Sequence, residues 1–350
     1  MKKELNAGVI GLGMGTHHIR CFMNSRANVY AVCDLDEARL AKAKAEFNIP
    51  HTFTSIDEML ELKELDLVSV ALPNYLHCPV SIKALQAGKH VMCEKPMAMN
   101  AREGRKMALA TKQSGKMFMM HFNSRFSNEA QVLKEYADSG ILGDVYYART
   151  VWNRRRGMPG LGGWFTTKKL SGGGPLIDLG VHRLDLALWL MGNPGATSVS
   201  GFTHDKLAQD LACAAGKTTD IEDFAAGFVR LDNGAVLALE ASWATNTEKG
   251  EEMTTTILGT KGSLYQGNQG EGYSMEAKVF VSRHGCVEVI SPKGYVPKYA
   301  SAQQHFVDCI IDNKQPLATA EHGVRVMEIL DALYESAMKG KEVKVQRQEL

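Results

Sequence analysis

At 350 residues the chain has room for two domains, each with a core of its own, and its apolar (45%) and charged (23%) fractions are ordinary for a globular protein. Lys plus Arg number 40 against 39 Asp plus Glu, a net charge of +1 that excludes a bulk electrostatic attraction to nucleic acid or to an anionic membrane. The longest apolar runs are too short to span a bilayer, and the passage from Met-Lys-Lys-Glu straight into a strand leads to the expectation of no signal segment. Seven scattered cysteines lack any C-x-x-C pair, so a cytoplasmic protein without a disulfide framework or a metal is expected.

Residues 7–10 predict a short apolar strand, followed by Gly11-Leu12-Gly13-Met14-Gly15-Thr16-His17-His18 and a helix; residues 29–33 predict a second strand ending at Asp34. Strand, glycine loop, helix, strand, acid is the order of a dinucleotide site. Gly11 allows the tight turn, Gly13 lets a pyrophosphate approach the backbone, and the helix N-terminus supplies amide N–H groups with a partial positive charge. Thr16 stands at the usual third glycine position, with Gly15 one residue early, which leaves the path of the loop open. A carboxylate at Asp34 accepts both ribose hydroxyls and repels a 2′-phosphate, and no Arg or Lys follows at once. NAD is therefore expected over NADP. His17 and His18, adjacent on a helix, diverge and are not expected to bind a metal.

Residues 38–47 read as a helix and 67–72 as an apolar strand ending in Pro73-Asn74, with His77 opening the next helix and Gly88 closing it. Residues 90–93 form another strand, with Glu94-Lys95-Pro96 at its C-terminal end. In a parallel doubly wound sheet, ligands bind beyond the carboxyl ends of the strands. Asn74, His77, Glu94 and Lys95 thus converge on the rim that holds the glycine loop. Because Pro96 cannot continue an interior strand, Lys95 reads as an ammonium held at a strand terminus, the alternative being a surface loop lysine. A helix at 101–114 and a strand at 117–122 complete a nucleotide domain of residues 1–123, leaving 124–350 as the second domain.

Beyond Gly143 strands are expected at 145–153, 198–203, 224–231, 235–244, 253–258, 278–282 and 286–290, with a hairpin at Asn233-Gly234. They predict a large, mostly antiparallel sheet covered by helices on one face, its open face calling for a partner. Closing helices are expected at 301–312 and 321–338. Between the first two strands lies Gly172-Gly173-Gly174-Pro175-Leu176-Ile177-Asp178-Leu179-Gly180-Val181-His182-Arg183-Leu184-Asp185. Its glycines give a backbone able to lie close to a ligand, and Pro175 suits the first turn of one helix running to Met191. Asp178, His182 and Asp185 then share a face. On a mostly buried helix, such groups either pair internally or serve a ligand.

These pieces together resemble the Gfo/Idh/MocA oxidoreductase family over nearly the whole chain: G-L-G-M-G and Asp34, A-L-P-N-Y-L-H at 71–77, A-G-K-H-V-M-C-E-K-P at 87–96, N-S-R-F at 123–126, and the 172–185 motif. The resemblance implies an α/β fold. An N-terminal Rossmann dinucleotide-binding domain is joined to a C-terminal α/β domain with a large, mostly antiparallel open sheet, through which subunits associate as a homodimer or homotetramer. It also implies hydride transfer between NAD and a carbon bearing a hydroxyl. Carried over residue by residue, Gly11, Gly13, Met14, Gly15, Asp34, Pro73, Asn74, His77, Glu94, Lys95 and Asn123 would contact the cofactor. Lys95 would hydrogen-bond the reacting hydroxyl, Asp178 would orient the substrate, and His182 would be the general base. As hydride leaves carbon, the hydroxyl proton must leave too; an imidazole can take it near neutral pH, and a lysine cation favours developing alkoxide charge.

The run Asn153-Arg154-Arg155-Arg156-Gly157-Met158-Pro159-Gly160, with Trp164-Phe165-Thr166, is similar to the members that oxidise glycosides at the C3 hydroxyl to 3-keto products. Arg154 and Arg155 would then hydrogen-bond sugar hydroxyls, a carboxylate or a phosphate, or else belong to a solvated loop or subunit contact. Trp164 would stack on a sugar ring or join the core. An inositol dehydrogenase, an NAD-dependent glycoside hydrolase and a non-enzymic NAD-sensing protein are the competing expectations.

Overall fold

In the computed structural model, which describes residues 4–347, the chain divides into two units. The first comprises residues 4–122 together with Tyr299–Val324, and the second Asn123–Lys298 together with residues 325–347.

The first unit is built on six parallel strands: β1 (Leu5–Ile10), β2 (Ala27–Cys33), β3 (His51–Phe53), β4 (Leu67–Val70), β5 (His90–Cys93) and β6 (Phe118–Met120). They lie in the order β3-β2-β1-β4-β5-β6. β4 is buried at every position, as expected of a strand covered on both faces by helices. Those helices are α1 (Gly15–Met23), α2 (Glu37–Phe47), α3 (Ile56–Leu60), α4 (Asn74–Gln86) and α5 (Ala101–Ser114). Asp36 caps α2 through the amides of Ala38 and Arg39, and Asn100 caps α5 through that of Glu103. Register pairs Ile10 with Cys33 and Val70, and Cys93 with Val70 and Met120. All the central strands therefore end at one rim, and the strand order reverses there between β1 and β4, the place where open α/β sheets bind ligands.

Two expectations change in this unit. α4 begins at Asn74, with Pro73 as its N-cap, so His77 lies a turn inside the helix. Tyr299–Val324, expected in the second domain, belongs to this unit. Its helix Ala302–Asp312 packs on α1 and buries Phe306 and Val307, and Met120 N–H donates to the Ala318 carbonyl at 2.8 Å.

The second unit carries α6 (Asn128–Asp138), β7 (Val145–Arg154), α7 (Lys168–Ser171), α8 (Val181–Leu190), β8 (Ala196–His204), α9 (Lys206–Ala214), β9 (Phe224–Leu231), β10 (Val236–Ser242), β11 (Glu251–Gly259), β12 (Gly262–Asn268), β13 (Met275–Arg283), β14 (Cys286–Ile290) and β15 (Val343–Lys344). Nine strands form one sheet in the order β14-β13-β12-β11-β7-β10-β9-β8-β15. Every neighbouring pair is antiparallel except β7 with β10. Asn233-Gly234 turns β9 into β10 as expected. α6 and α8 lie against the sheet. Phe202 and Phe228, 57% and 40% exposed, share a face with the Arg149–Glu240 ion pair, so apolar surface of this sheet remains open. Among the described residues no helix is long and apolar enough to cross a membrane.

Candidate functional site

At the rim of the first unit the glycine loop has the shape its sequence requires. Gly11 has φ of +90°, and a methyl group there would lie 2.4 Å from the Ala71 carbonyl oxygen; only glycine fits. A methyl group at Gly13 would have no protein atom within 4 Å, whereas one at Gly15 would sit 2.7 Å from Val9 Cγ1. Gly15 thus serves the close helix-to-strand packing of the third glycine, which resolves the path left open by Thr16. α1 starts at Gly15 with exposed Met14 as N-cap and no acid in its first turn, which leaves the positive end of the helix dipole without a protein carboxylate there. Asp34 Oδ2 accepts the Leu12 amide at 2.6 Å, which ties the end of β2 to the loop. Arg39, five residues on, lies 3.9 Å from that carboxylate, a neighbour the local sequence did not reveal. These features fit a dinucleotide pyrophosphate and ribose.

Glu94 and Lys95 follow β5 at the same rim. Glu94 Oε2 accepts the Lys95 amide at 3.1 Å. Its Oε1 lies 2.8 Å from both His18 Nε2 and His121 Nδ1, and His18 Nδ1 meets Ser69 Oγ at 2.7 Å. Burial opposes the charge on Glu94, but the two imidazoles more than offset it and hold the carboxyl well below its usual range. Burial, and then His121, pushes His18 downward. His18, set aside in the sequence as half of a diverging doublet, thus sits in a buried three-residue cluster with Glu94 and His121, which follow the ends of β5 and β6. His77 puts one ring nitrogen 2.6 Å from the Pro96 carbonyl and the other 2.7 Å from that of Leu72. The ring therefore pins the ends of β4 and β5 together.

In the second unit the motif around Asp178 departs from one continuous α-helix. Leu176–Gly180 form a single π turn, and α geometry begins at Val181. Its glycines serve packing within the protein: a methyl at Gly173 would lie 2.0 Å from the Tyr334 hydroxyl, and one at Gly174 2.2 Å from the Glu222 carbonyl. Glu222, unforeseen from sequence, accepts the amides of Gly174 at 2.9 Å and Leu176 at 3.2 Å, and the Tyr334 hydroxyl at 2.8 Å. Burial pushes its carboxyl up, against these donors. Asp185 does not join Asp178 and His182: it is buried and clamped by Arg125 through Nε at 2.9 Å and Nη2 at 2.6 Å. Burial raises its carboxyl and Arg125 opposes the rise.

Asp178 Oδ2 accepts Trp243 Nε1 at 3.1 Å. His182 lines a cavity of about 210 Å³ together with Asn123, Trp152, Arg183, Gln266 and Tyr273, its ring 5.5 Å from that of Trp152. A larger cavity of about 540 Å³, beside Glu129 and Lys293, contains no histidine. Arg154 Nε pairs with Glu251 at 2.8 Å and its Nη2 meets the Tyr273 hydroxyl at 2.8 Å. Arg155, exposed, donates to the Glu248 carbonyl at 2.8 Å. Trp164 stacks on Phe165 at 3.8 Å, and Phe165 packs on the core that contains Trp243.

Residues 5–122 match the Gfo/Idh/MocA family model described as an oxidoreductase family with an NAD-binding Rossmann fold, and residues 134–345 match that family's C-terminal alpha/beta domain. The D-glucoside 3-dehydrogenase of Escherichia coli (strain K12) is 30% identical over 97% of this chain and 97% of its own. The scyllo-inositol 2-dehydrogenase (NAD(+)) of Bacillus subtilis (strain 168) is 26% identical over 91% of this chain and 90% of its own. Among solved structures, levoglucosan dehydrogenase in complex with NADH and L-sorbose has a TM-score of 0.87 at 23% identity, covering 99% of this chain and 100% of that one, a likeness of fold.

Proposed function

The chain belongs to the Gfo/Idh/MocA oxidoreductase family and carries its NAD-binding Rossmann domain, and we propose that it oxidises a secondary ring hydroxyl of a sugar or glycoside, the one at C3, with NAD as acceptor. The observation that supports this reading best is His182 on the wall of a cavity in the second unit, next in sequence to the turn that holds Asp178. The likeness to a D-glucoside 3-dehydrogenase along almost the whole of both chains supports the ring position.

Each residue has one duty in this proposal. His182 takes the proton of the reacting hydroxyl; Asp178, steadied by Trp243, orients the sugar. Lys95, whose backbone is held by Glu94, donates a hydrogen bond to the reacting oxygen and favours its developing negative charge. Gly11, Gly13, Met14, Gly15, Pro73 and Asn74 shape the pyrophosphate cradle, and Asp34 receives the ribose hydroxyls. When bound, NAD supplies the hydride acceptor. Copies of the chain associate through the open sheet face around Phe202 and Phe228.

Inositol oxidation is the second reading, favoured by the likeness to scyllo-inositol and myo-inositol dehydrogenases. A panel of methyl glucosides and free inositols with NAD and with NADP, read by NADH or NADPH formation and by NMR of the product, tests both. A keto group at C3 of a glucoside supports the proposal; turnover of inositols alone replaces it with the second reading.

A further inference from the structure

Arg183 follows His182 directly and is 4% exposed on a helix whose remaining side chains are mostly apolar. Its Nη1 donates to Gln266 Oε1 at 3.1 Å and its guanidinium carbon lies 5.3 Å over the Trp152 ring. Its Nε is buried without a hydrogen-bond partner. Among the described residues no carboxylate pairs with it. Glu251, the acid whose charge acts on it, forms its ion pair with another residue: its Oε1 accepts Trp152 Nε1 at 2.7 Å and Arg154 Nε at 2.8 Å. Burial lowers the Arg183 pKa to about 10, so the side chain is still a cation at neutral pH. A buried guanidinium is normally matched by an acid, as Arg125 is by Asp185 through its Nε and Nη2 edge. The corresponding edge of Arg183 meets none, and the side chain lines the same cavity as His182.

We propose that Arg183 is the counter-ion for a carboxylate carried by the substrate, so that the sugar oxidised beside His182 is an acidic one. The inference rests on the proposed use of that cavity for substrate. A planar guanidinium that has one hydrogen bond to a neutral amide and no ion pair of its own suits a planar carboxylate better than a neutral hydroxyl. The carboxylate has two sources: ring carbon C6, as in a glucuronide, or the aglycone.

The test compares kcat/KM with NAD for methyl glucoside, methyl glucuronide and 4-carboxyphenyl glucoside, in the wild type and in Arg183→Met and Arg183→Lys, with thermal melts as a control for folding. The wild type is expected to prefer one of the two acids over methyl glucoside by about tenfold or more, and the preferred acid identifies the source. Arg183→Met should erase that preference, chiefly through KM, and Arg183→Lys should keep part of it. Equal or better use of methyl glucoside by the wild type, or one common factor of loss for all three sugars in Arg183→Met, would overturn the assignment. Absence of turnover with every sugar would instead remove the proposed oxidation. Arg183 is then judged by titrating glucuronate against tryptophan fluorescence, since Trp152 lies beneath the guanidinium: a saturable change lost in Arg183→Met upholds the anion site, and no change refutes it.

Discussion

The carboxylate of Glu222 accepts the backbone amide of Gly174 at 2.9 Å across 48 residues of sequence. The same carboxylate takes the Leu176 amide and the Tyr334 hydroxyl, so the turn that presents Asp178 is anchored from the strand region before β9. Removal of Glu222 leaves buried donors without an acceptor. Glu222→Ala is expected to cost about 1–3 kcal/mol or more in urea unfolding and to lower kcat, because Asp178 and His182 lose their anchor. A Glu222→Ala enzyme with wild-type stability and kcat would show that the cap is dispensable.

Gly13 and Gly15 separate a ligand requirement from a packing requirement. Gly13→Ala meets no protein atom, and its thermal midpoint should stay near that of the wild type while NAD binding weakens. Gly15→Ala drives a methyl into Val9 and should lose about 1–3 kcal/mol of stability. Melting curves and NAD titrations of the two variants check this; normal NAD affinity in Gly13→Ala would move the pyrophosphate elsewhere.

Asp34 holds Leu12 by one oxygen, and in the proposed cofactor site its charge would repel a 2′-phosphate. Asp34→Asn keeps an acceptor and removes the charge, so the ratio of kcat/KM for NAD over NADP should fall by about tenfold. Arg39, already close by, would help to receive the phosphate. An unchanged ratio would remove Asp34 as the discriminator.

The Glu94 cluster fixes the sign of an acid limb. The folded-state pKa of Glu94 lies well below its ordinary value of 4.5. The unfolded chain therefore takes up the proton first, and the stability Glu94 contributes is present above about pH 4.5 and lost as pH falls toward the folded value. Denaturant unfolding of wild type and Glu94→Gln between neutral and acid pH should show the acid limb less steep in the variant. Parallel limbs would contradict the assignment.

The Rossmann half was legible because its chemistry is local: glycine loop, acid and Glu94-Lys95-Pro96 each follow a strand whose apolar run marks it. β3 and α3, of three and five residues, are too short to leave a period. β12 escaped notice because Gly262, Gln266, Gly267 and Asn268 are poor strand formers held in place by β11 and β13. Asp178 and His182 could be picked out by spacing, yet the π turn that holds Asp178 could not, since the Glu222 carboxylate that receives its leading amides is far away in sequence. Arg183 stood in plain view within the motif; its significance lies in the missing acid, which only the folded arrangement discloses. The return of Tyr299–Val324 to the first unit is likewise a matter of which apolar face finds which partner, and period alone does not specify partners.

The most direct test of the central claim is turnover of glycosides and related polyols with NAD by the wild type and by His182→Ala, followed as NADH formation. Wild-type activity that falls by about a hundredfold to ten-thousandfold in the variant is the predicted result. Undiminished turnover in His182→Ala, or no NADH from any sugar or polyol with the wild type, would contradict it.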